Sequence, residues 1–144
     1  MNISTQLQCS PDEAFRSWTD ADEIVRWWGN PAMYRVVTWK ADLVEGGVWR
    51  ARFQAAEGAE FGAGGTYVAV SPPGKLEWTW RADWNPDVTM LLRMSFAANE
   101  GGTVLTLRCD GLPSHAAEEE AERGWREIAG WLQKYHAAEP RGLD

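Results

Sequence analysis

The sequence predicts an α+β fold in which a curved antiparallel sheet wraps around one long C-terminal helix. Three observations predict it. Apolar residues alternate with period two near the N-terminus, short alternating runs separated by turn residues fill residues 34–110, and apolar residues recur at helical spacing after residue 114. The predicted order is therefore one strand, two short helices, six strands and one long helix.

The first strand is predicted over residues 1–9, where side chains alternate between apolar and polar. Ser10-Pro11-Asp12-Glu13 then supplies an N-cap serine, a proline at the first helical position and a glutamate three residues after the cap. This capping box predicts a helix that runs through Trp18. A second short helix is predicted to restart at Thr19 and to run through Trp28, and Gly29-Asn30-Pro31 ends it.

Six strands are predicted between Tyr34 and Asp110, because turn residues interrupt the sequence at regular intervals and no helical pattern lies between them. Such spacing is typical of an antiparallel meander. After residue 114 the period changes to that of an amphipathic helix, and the residues that define it are Ala121, Trp125, Ile128, Leu132 and Tyr135. Residues 139–144 are predicted to form a frayed tail.

Length and charge restrict the class of protein. A chain of 144 residues fits a single domain, predicted over residues 1–144. The net charge of -7 disfavours nucleic acid and anionic membrane as partners. The chain has no apolar run long enough to span a membrane, and its first residues lack the apolar segment of a signal peptide, so we expect a reduced, cytoplasmic protein. A monomer and a homodimer both stay open.

The predicted sheet has one apolar and one polar face. In residues 48–54, Trp49 and Phe53 share one face, whereas Arg50 and Arg52 share the other. Arginines of other strands also fall on the polar face, so we interpret it as the solvent side, with Arg–Glu pairs between strands. The alternative is an anion site formed by Arg50, Arg52, Arg81, Arg93 and Arg108.

The apolar face and the last helix form the predicted binding site. The chain has 10 tryptophans, which form either a densely packed core or the concave wall of a ligand cavity, and strand parity does not separate the two. Methionine and tryptophan together make an adaptable apolar lining. The candidate ligand-binding residues are Trp39, Trp49, Phe53, Trp78, Trp80, Met90, Leu92, Met94 and Trp125.

Motifs for catalysis or metal binding are not found in the sequence. His115 and His136 lie at opposite ends of the last helix, roughly 30 Å apart, so they cannot share a metal, and each is expected to be a surface or capping residue. No phosphate-binding loop or nucleophile elbow is present. We therefore predict no catalytic residue, no metal site and no cofactor. The carboxylates that could still act as acids in a cavity are Asp42, Glu45, Glu77, Asp83, Asp87 and Asp110.

The chain also resembles a known family. The similar segments are Pro11 to Phe15, Trp18-Thr19-Asp20, Trp27-Trp28, Asp42 to Trp49, Gly65-Thr66-Tyr67, Pro72-Pro73 with Leu76 and Thr79-Trp80, Gly102 to Leu107, Gly111-Leu112-Pro113, and Gly124-Trp125 with Leu132. In order and spacing they resemble the activator of Hsp90 ATPase homologue 1-like (AHSA1-like) family of the START/Bet v 1-like (SRPBCC) superfamily. The resemblance implies a helix-grip fold, β-α-α-β6-α, and a cavity between sheet and long helix for a hydrophobic or amphipathic molecule.

This chain differs at two positions from the family that it resembles. Cys109 stands where relatives often carry a histidine, and Ala69 stands where they often carry a glutamate. Both departures favour binding over catalysis.

Three functions are carried forward. The first is a cytoplasmic binding protein for a hydrophobic or amphipathic small molecule. The second is a co-chaperone or stress-response module that contacts a protein partner through an exposed patch, for instance Trp27, Trp28 and Trp84. The third is a cyclase-like or hydrolase-like enzyme that uses a cavity carboxylate; the sequence favours a binding protein but does not decide whether a reaction is catalysed.

Overall fold

The computed structural model of the chain describes residues 1–137, so the predicted tail at residues 139–144 lies outside the described residues. Its elements, in chain order, are β1 (Asn2–Leu7), α1 (Pro11–Thr19), α2 (Ala21–Trp27), β2 (Gly29–Asn30), β3 (Tyr34–Ala41), β4 (Val48–Ala55), β5 (Glu60–Ser71), β6 (Lys75–Ala82), β7 (Met90–Asn99), β8 (Gly102–Asp110) and α3 (His115–Ala137). This order confirms the predicted helix-grip fold. The only addition within these residues is β2, a two-residue strand beside the start of β3.

The strands form one curled antiparallel sheet in the order β1-β8-β7-β6-β5-β4-β3-β2. From β3 to β8 each strand pairs with the next, as a meander does, and β1 closes onto β8 at the far edge. The long helix α3 lies against the concave face, and near its C-terminal end Gln133 Nε2 donates to the carbonyl oxygen of Gln6 in β1. Across residues 1–137, no helix is both long and apolar enough to cross a membrane.

The first short helix begins where the sequence predicts, whereas the second begins at Ala21 and not at Thr19, which is the last residue of α1. Ser10 Oγ accepts a hydrogen bond from the Glu13 backbone N–H, and the Glu13 carboxylate accepts one of 2.9 Å from the Ser10 N–H. These paired bonds satisfy two backbone donors at the start of α1. Asp20 then serves both helices, since its N–H donates to Arg16 O at the end of α1 and its side chain caps α2.

The faces of the sheet follow strand parity. Inward residues such as Trp49 and Phe53 are buried, whereas Arg50 and Arg52 point to solvent. The outward arginines form ion pairs, chiefly with aspartates: Arg50 with Asp83, Arg52 with Glu60, and both Arg93 and Arg108 with Asp110. Four of the five arginines of the alternative anion site are thus paired with carboxylates, which disfavours that alternative, whereas Arg81 forms no ion pair among residues 1–137.

Candidate functional site

The interior between the sheet and α3 is filled largely by indole rings. Eight of the 10 tryptophans are buried, while Trp131 is half-buried and Trp84 is exposed. The rings contact one another in chains: Trp39 stacks on Trp49 with centroids 4.8 Å apart, and Trp80 meets Trp125 of α3 edge-on at 5.3 Å. Ring pairs of this kind stabilise a core by more than the burial of their apolar surface alone would.

All nine predicted site residues lie in this core. Eight are buried and Met90 is half-buried. Trp78 links several of them, because its Nε1 donates to Met94 Sδ over 3.2 Å, its ring lies 5.2 Å from that of Trp49, and it pairs with Leu92 on β7. The structure thus brings the nine residues together in one core, where eight of them are buried.

Trp28 lies at the centre of the same core and was not among the predicted residues. It is 1% exposed, and its ring centroid lies 5.9 Å from that of Trp80 and 6.0 Å from that of Trp125. It follows the last residue of α2 as the C-cap, so the helical period of α2 does not determine where its side chain points. The exposed patch predicted from Trp27, Trp28 and Trp84 is therefore wrong, because the first two rings are buried.

A hollow of about 180 Å³ lies beside this core, partly open to solvent. Only Trp80 and Met90 of the nine predicted residues line it. Its other walls are the β6–β7 loop, the linker after β8 and the first turns of α3, which contribute Ala82, Asn85, Val88, Leu112, Pro113, Ala117, Glu120 and Ala121.

Small side chains and one glycine create this space. Ala117 and Ala121 are four residues apart, so they lie on one side of α3 and leave room where larger side chains further along the helix fill the core. Gly111 has φ of +94°, and a Cβ there would lie 2.7 Å from the carbonyl oxygen of Thr89. Glycine at this position therefore lets the linker after β8 pass close to the β6–β7 loop, and together they close one side of the hollow.

The six candidate carboxylates lie on the outer surface. Asp42, Glu45, Asp83 and Asp87 are exposed, and none of the six lines the hollow. Glu77 and Asp110 are partly covered, but they pair with Lys75 and with outward arginines. A cavity acid of the kind that the enzyme alternative requires is therefore not among these residues.

His136 is buried, contrary to the predicted surface or capping role, whereas His115 is exposed as predicted. His136 Nε2 lies 2.8 Å from Ser17 Oγ, and the Ser17 hydroxyl donates to the carbonyl oxygen of Glu13. The cause is tertiary: His136 follows Leu132 by four residues on the inward side of α3, and α1 covers it. Since Ser17 is itself fully buried, this pair joins α3 to α1 and offers no accessible nucleophile.

Three buried polar groups form no hydrogen bond of regular geometry among residues 1–137 although they lie within the aromatic core. They are Trp18 Nε1, Trp39 Nε1 and Tyr67 Oη. Burial raises the pKa of Tyr67 to about 12, and the nearby Trp39 indole lowers it in part. The core around them is thus apolar enough to disfavour charge.

Comparisons with known proteins agree with this architecture. A family model described as Activator of Hsp90 ATPase homolog 1-like protein matches residues 8–137. Among solved structures, the AHSA1-like protein from Aeromonas hydrophila is 25% identical with a TM-score of 0.80 over 96% of this chain and 92% of that one. The AHSA1 protein from Silicibacter pomeroyi is 22% identical with a TM-score of 0.81, covering 96% and 98% of the two chains. None of the curated proteins matches the sequence.

Proposed function

We propose, on the premise that this chain belongs to the Activator of Hsp90 ATPase homolog 1-like family, that it binds a hydrophobic or amphipathic small molecule between the sheet and α3. The hollow beside Trp80 and Met90 is the observation that carries this proposal. A ligand in the hollow contacts Trp80 and Met90 directly. The other predicted residues form the wall behind, and they reach a larger ligand only if their rings move.

The size of the hollow limits the ligand. An apolar protein cavity of about 150 Å³ holds one benzene ring, so a volume of about 180 Å³ fits one aromatic ring with a short substituent. Burying about 150 Å² of apolar ring contributes about 4 kcal/mol before ordering costs. We therefore expect a dissociation constant of about 1 mM or weaker for such a probe.

A titration with 2-phenylethanol, a neutral single-ring probe, tests the proposal. Binding is followed by NMR through the Met90 methyl and the Trp80 indole resonances. We expect saturable shifts at both, and we expect Ala117→Leu to weaken binding at least tenfold because the larger side chain enters the hollow. Ala116→Leu is the matched control, since Ala116 is the exposed neighbour that does not line the hollow.

Two results would contradict the proposal. One is an absence of saturable shifts with the folded protein. The other is equal affinity in the wild type and the Ala117→Leu variant, which would place the probe elsewhere.

A second candidate function, a protein-interaction module, is favoured by the exposure of Trp84. Its side chain is 61% exposed at the start of the β6–β7 loop, where it packs edge-on against Phe61. Exposed tryptophan is a frequent anchor of protein interfaces. Calorimetric titration with an Hsp90 protein tests it: binding that Trp84→Ala weakens supports this function, and no heat of binding rejects the Hsp90 partner.

A further inference from the structure

We propose that the hollow selects single-ring amines over carboxylates of the same shape, and that Glu120 determines this selectivity. The inference rests on the proposed function, because it concerns the ligand of the same hollow. The ring would occupy the apolar interior, and the ammonium group would lie at the rim beside the Glu120 carboxylate.

The lining of the hollow has one charge, and that charge is negative. Eight of its ten residues are apolar, and the two polar ones are Asn85 and Glu120. Lysine, arginine and histidine are missing from this lining. A ligand carboxylate would therefore lose its hydration without gaining a cation, whereas an ammonium group would find an opposite charge.

Glu120 differs from two of its neighbours on α3 in having no ion-pair partner among residues 1–137. Glu122 pairs with Arg126 through a contact of 2.9 Å, and Glu119 lies 3.5 Å from His115, a contact that is an ion pair only when the imidazole is protonated. Arg123, three residues further along, forms no ion pair with Glu120. The carboxylate at the hollow is thus available to a ligand cation, while nearby acidic groups of the helix are engaged elsewhere.

The N-terminus of α3 does not reverse this preference. Unpaired backbone N–H groups at a helix start attract anions, but here the Ser114 hydroxyl already accepts from that of Ala117, and the Glu118 N–H forms the first helical bond to the Ser114 carbonyl oxygen. Glu118 and Glu119 also place negative charge on the same turns as Glu120. The overall charge of -7 adds to the attraction of cations toward the surface.

The test compares three probes that share one skeleton: phenethylamine, 2-phenylethanol and 3-phenylpropionate. At pH 7 the first is a cation, the second is neutral and the third is an anion. Because Glu120 is exposed at the rim, water screens the interaction. We expect phenethylamine to bind about two- to fivefold more tightly than 2-phenylethanol, and 3-phenylpropionate to bind more weakly than both.

Two variants show which carboxylate is responsible. Glu120→Gln should bring the dissociation constants of the amine and the alcohol together, because it removes the charge that distinguishes the two probes. Glu119→Gln is the matched control, since Glu119 is an adjacent exposed carboxylate outside the hollow, and it should keep the amine preference. Added salt should reduce the preference in the wild type.

The outcomes separate this inference from the proposed function. If 2-phenylethanol binds and the amine binds no better, or if the carboxylate binds most tightly, the inference is overturned while the ligand site stands. If Glu119→Gln removes the preference as fully as Glu120→Gln, the assignment to Glu120 is overturned. If no probe binds, both proposals fall.

Discussion

The indole nitrogen of Trp49 in β4 donates a hydrogen bond of 2.9 Å to the carbonyl oxygen of Thr79 in β6, two strands away. The intervening strand β5 places Gly65 opposite Trp49. In the ladder between β5 and β6, Gly65 and Thr66 have no paired residue, and the Thr66 N–H bonds to the Thr79 hydroxyl. Side chains thus replace the backbone bonds that a regular sheet would make at this point.

Gly65→Ala should be strongly destabilising. A Cβ at this position would lie 2.0 Å from the Thr79 carbonyl oxygen, which is backbone and cannot move without breaking the contact with Trp49. We expect a loss of about 3 kcal/mol in the free energy of unfolding. Urea denaturation followed by tryptophan fluorescence measures it.

Gly130→Ala is the control for this experiment. A Cβ at Gly130, on the exposed side of α3, meets no atom within 4 Å, so the substitution should stabilise the protein by about 0.5–1 kcal/mol through helix propensity. If both variants unfold at the wild-type urea concentration, the close approach at Gly65 does not limit substitution.

Local sequence patterns predicted the elements of this fold because they act over a few residues. The capping box of Ser10 and Glu13 lies within one turn, and the alternation of Trp49 with Arg50 reflects the pleat of a single strand. The burial of His136 could not be predicted in this way, because its partner Ser17 is 119 residues away in sequence. The position of Trp28 depends likewise on how the segment after α2 crosses the core.

Only part of the candidate site could be predicted from the sequence, because strand parity is also a local pattern. Parity identified which side chains point inward, but it contains no information on whether their rings leave space between them. The hollow depends on the approach of two loops, which Gly111 permits, and on Ala117 and Ala121 facing inward from α3. The spacing of these alanines by four residues is a signal that the sequence does contain.

The capping box should make stability depend on pH. The hydrogen bond from the Ser10 N–H holds the pKa of Glu13 below its usual range. A carboxyl group whose pKa is lowered by folding contributes stability above its unfolded pKa of about 4, and loses it as pH falls through the folded value. The wild type should therefore exceed Glu13→Gln in stability at pH 7, and the difference should shrink as the pH falls below 4.

Urea unfolding of both proteins at several pH values measures this difference. Ser10→Ala serves as a comparison, since it removes the other half of the box and should cost about 1 kcal/mol at pH 7. A difference between wild type and Glu13→Gln that stays constant with pH would contradict the role assigned to the Glu13 charge.

Cys109 should be unreactive in the folded protein. It is 1% exposed, and burial raises the pKa of its thiol to about 11. Since the thiolate is the reacting species, very little of it exists at pH 8. Cys9 is more exposed, so Ellman's reagent should modify it first. In Cys9→Ser, we expect thiol release only when the protein unfolds, and rapid reaction under native conditions would contradict the burial of Cys109.

Tyr67→Phe should be neutral or stabilising, although Tyr67 is 1% exposed within the core. Among residues 1–137 its hydroxyl forms no hydrogen bond of regular geometry and has only a weak contact with the Trp39 indole, so the substitution removes a polar group whose desolvation is poorly compensated. The pKa of the Tyr67 hydroxyl, about 12, also predicts how the stability of the wild type depends on pH. Folding raises this pKa, so ionisation favours the unfolded chain once the pH exceeds the unfolded value of about 10. Stability of the wild type should therefore fall between pH 10 and 12 more steeply than that of Tyr67→Phe, as measured by urea unfolding. A loss of more than about 1 kcal/mol at pH 7 would instead mean that the hydroxyl is hydrogen-bonded within the core.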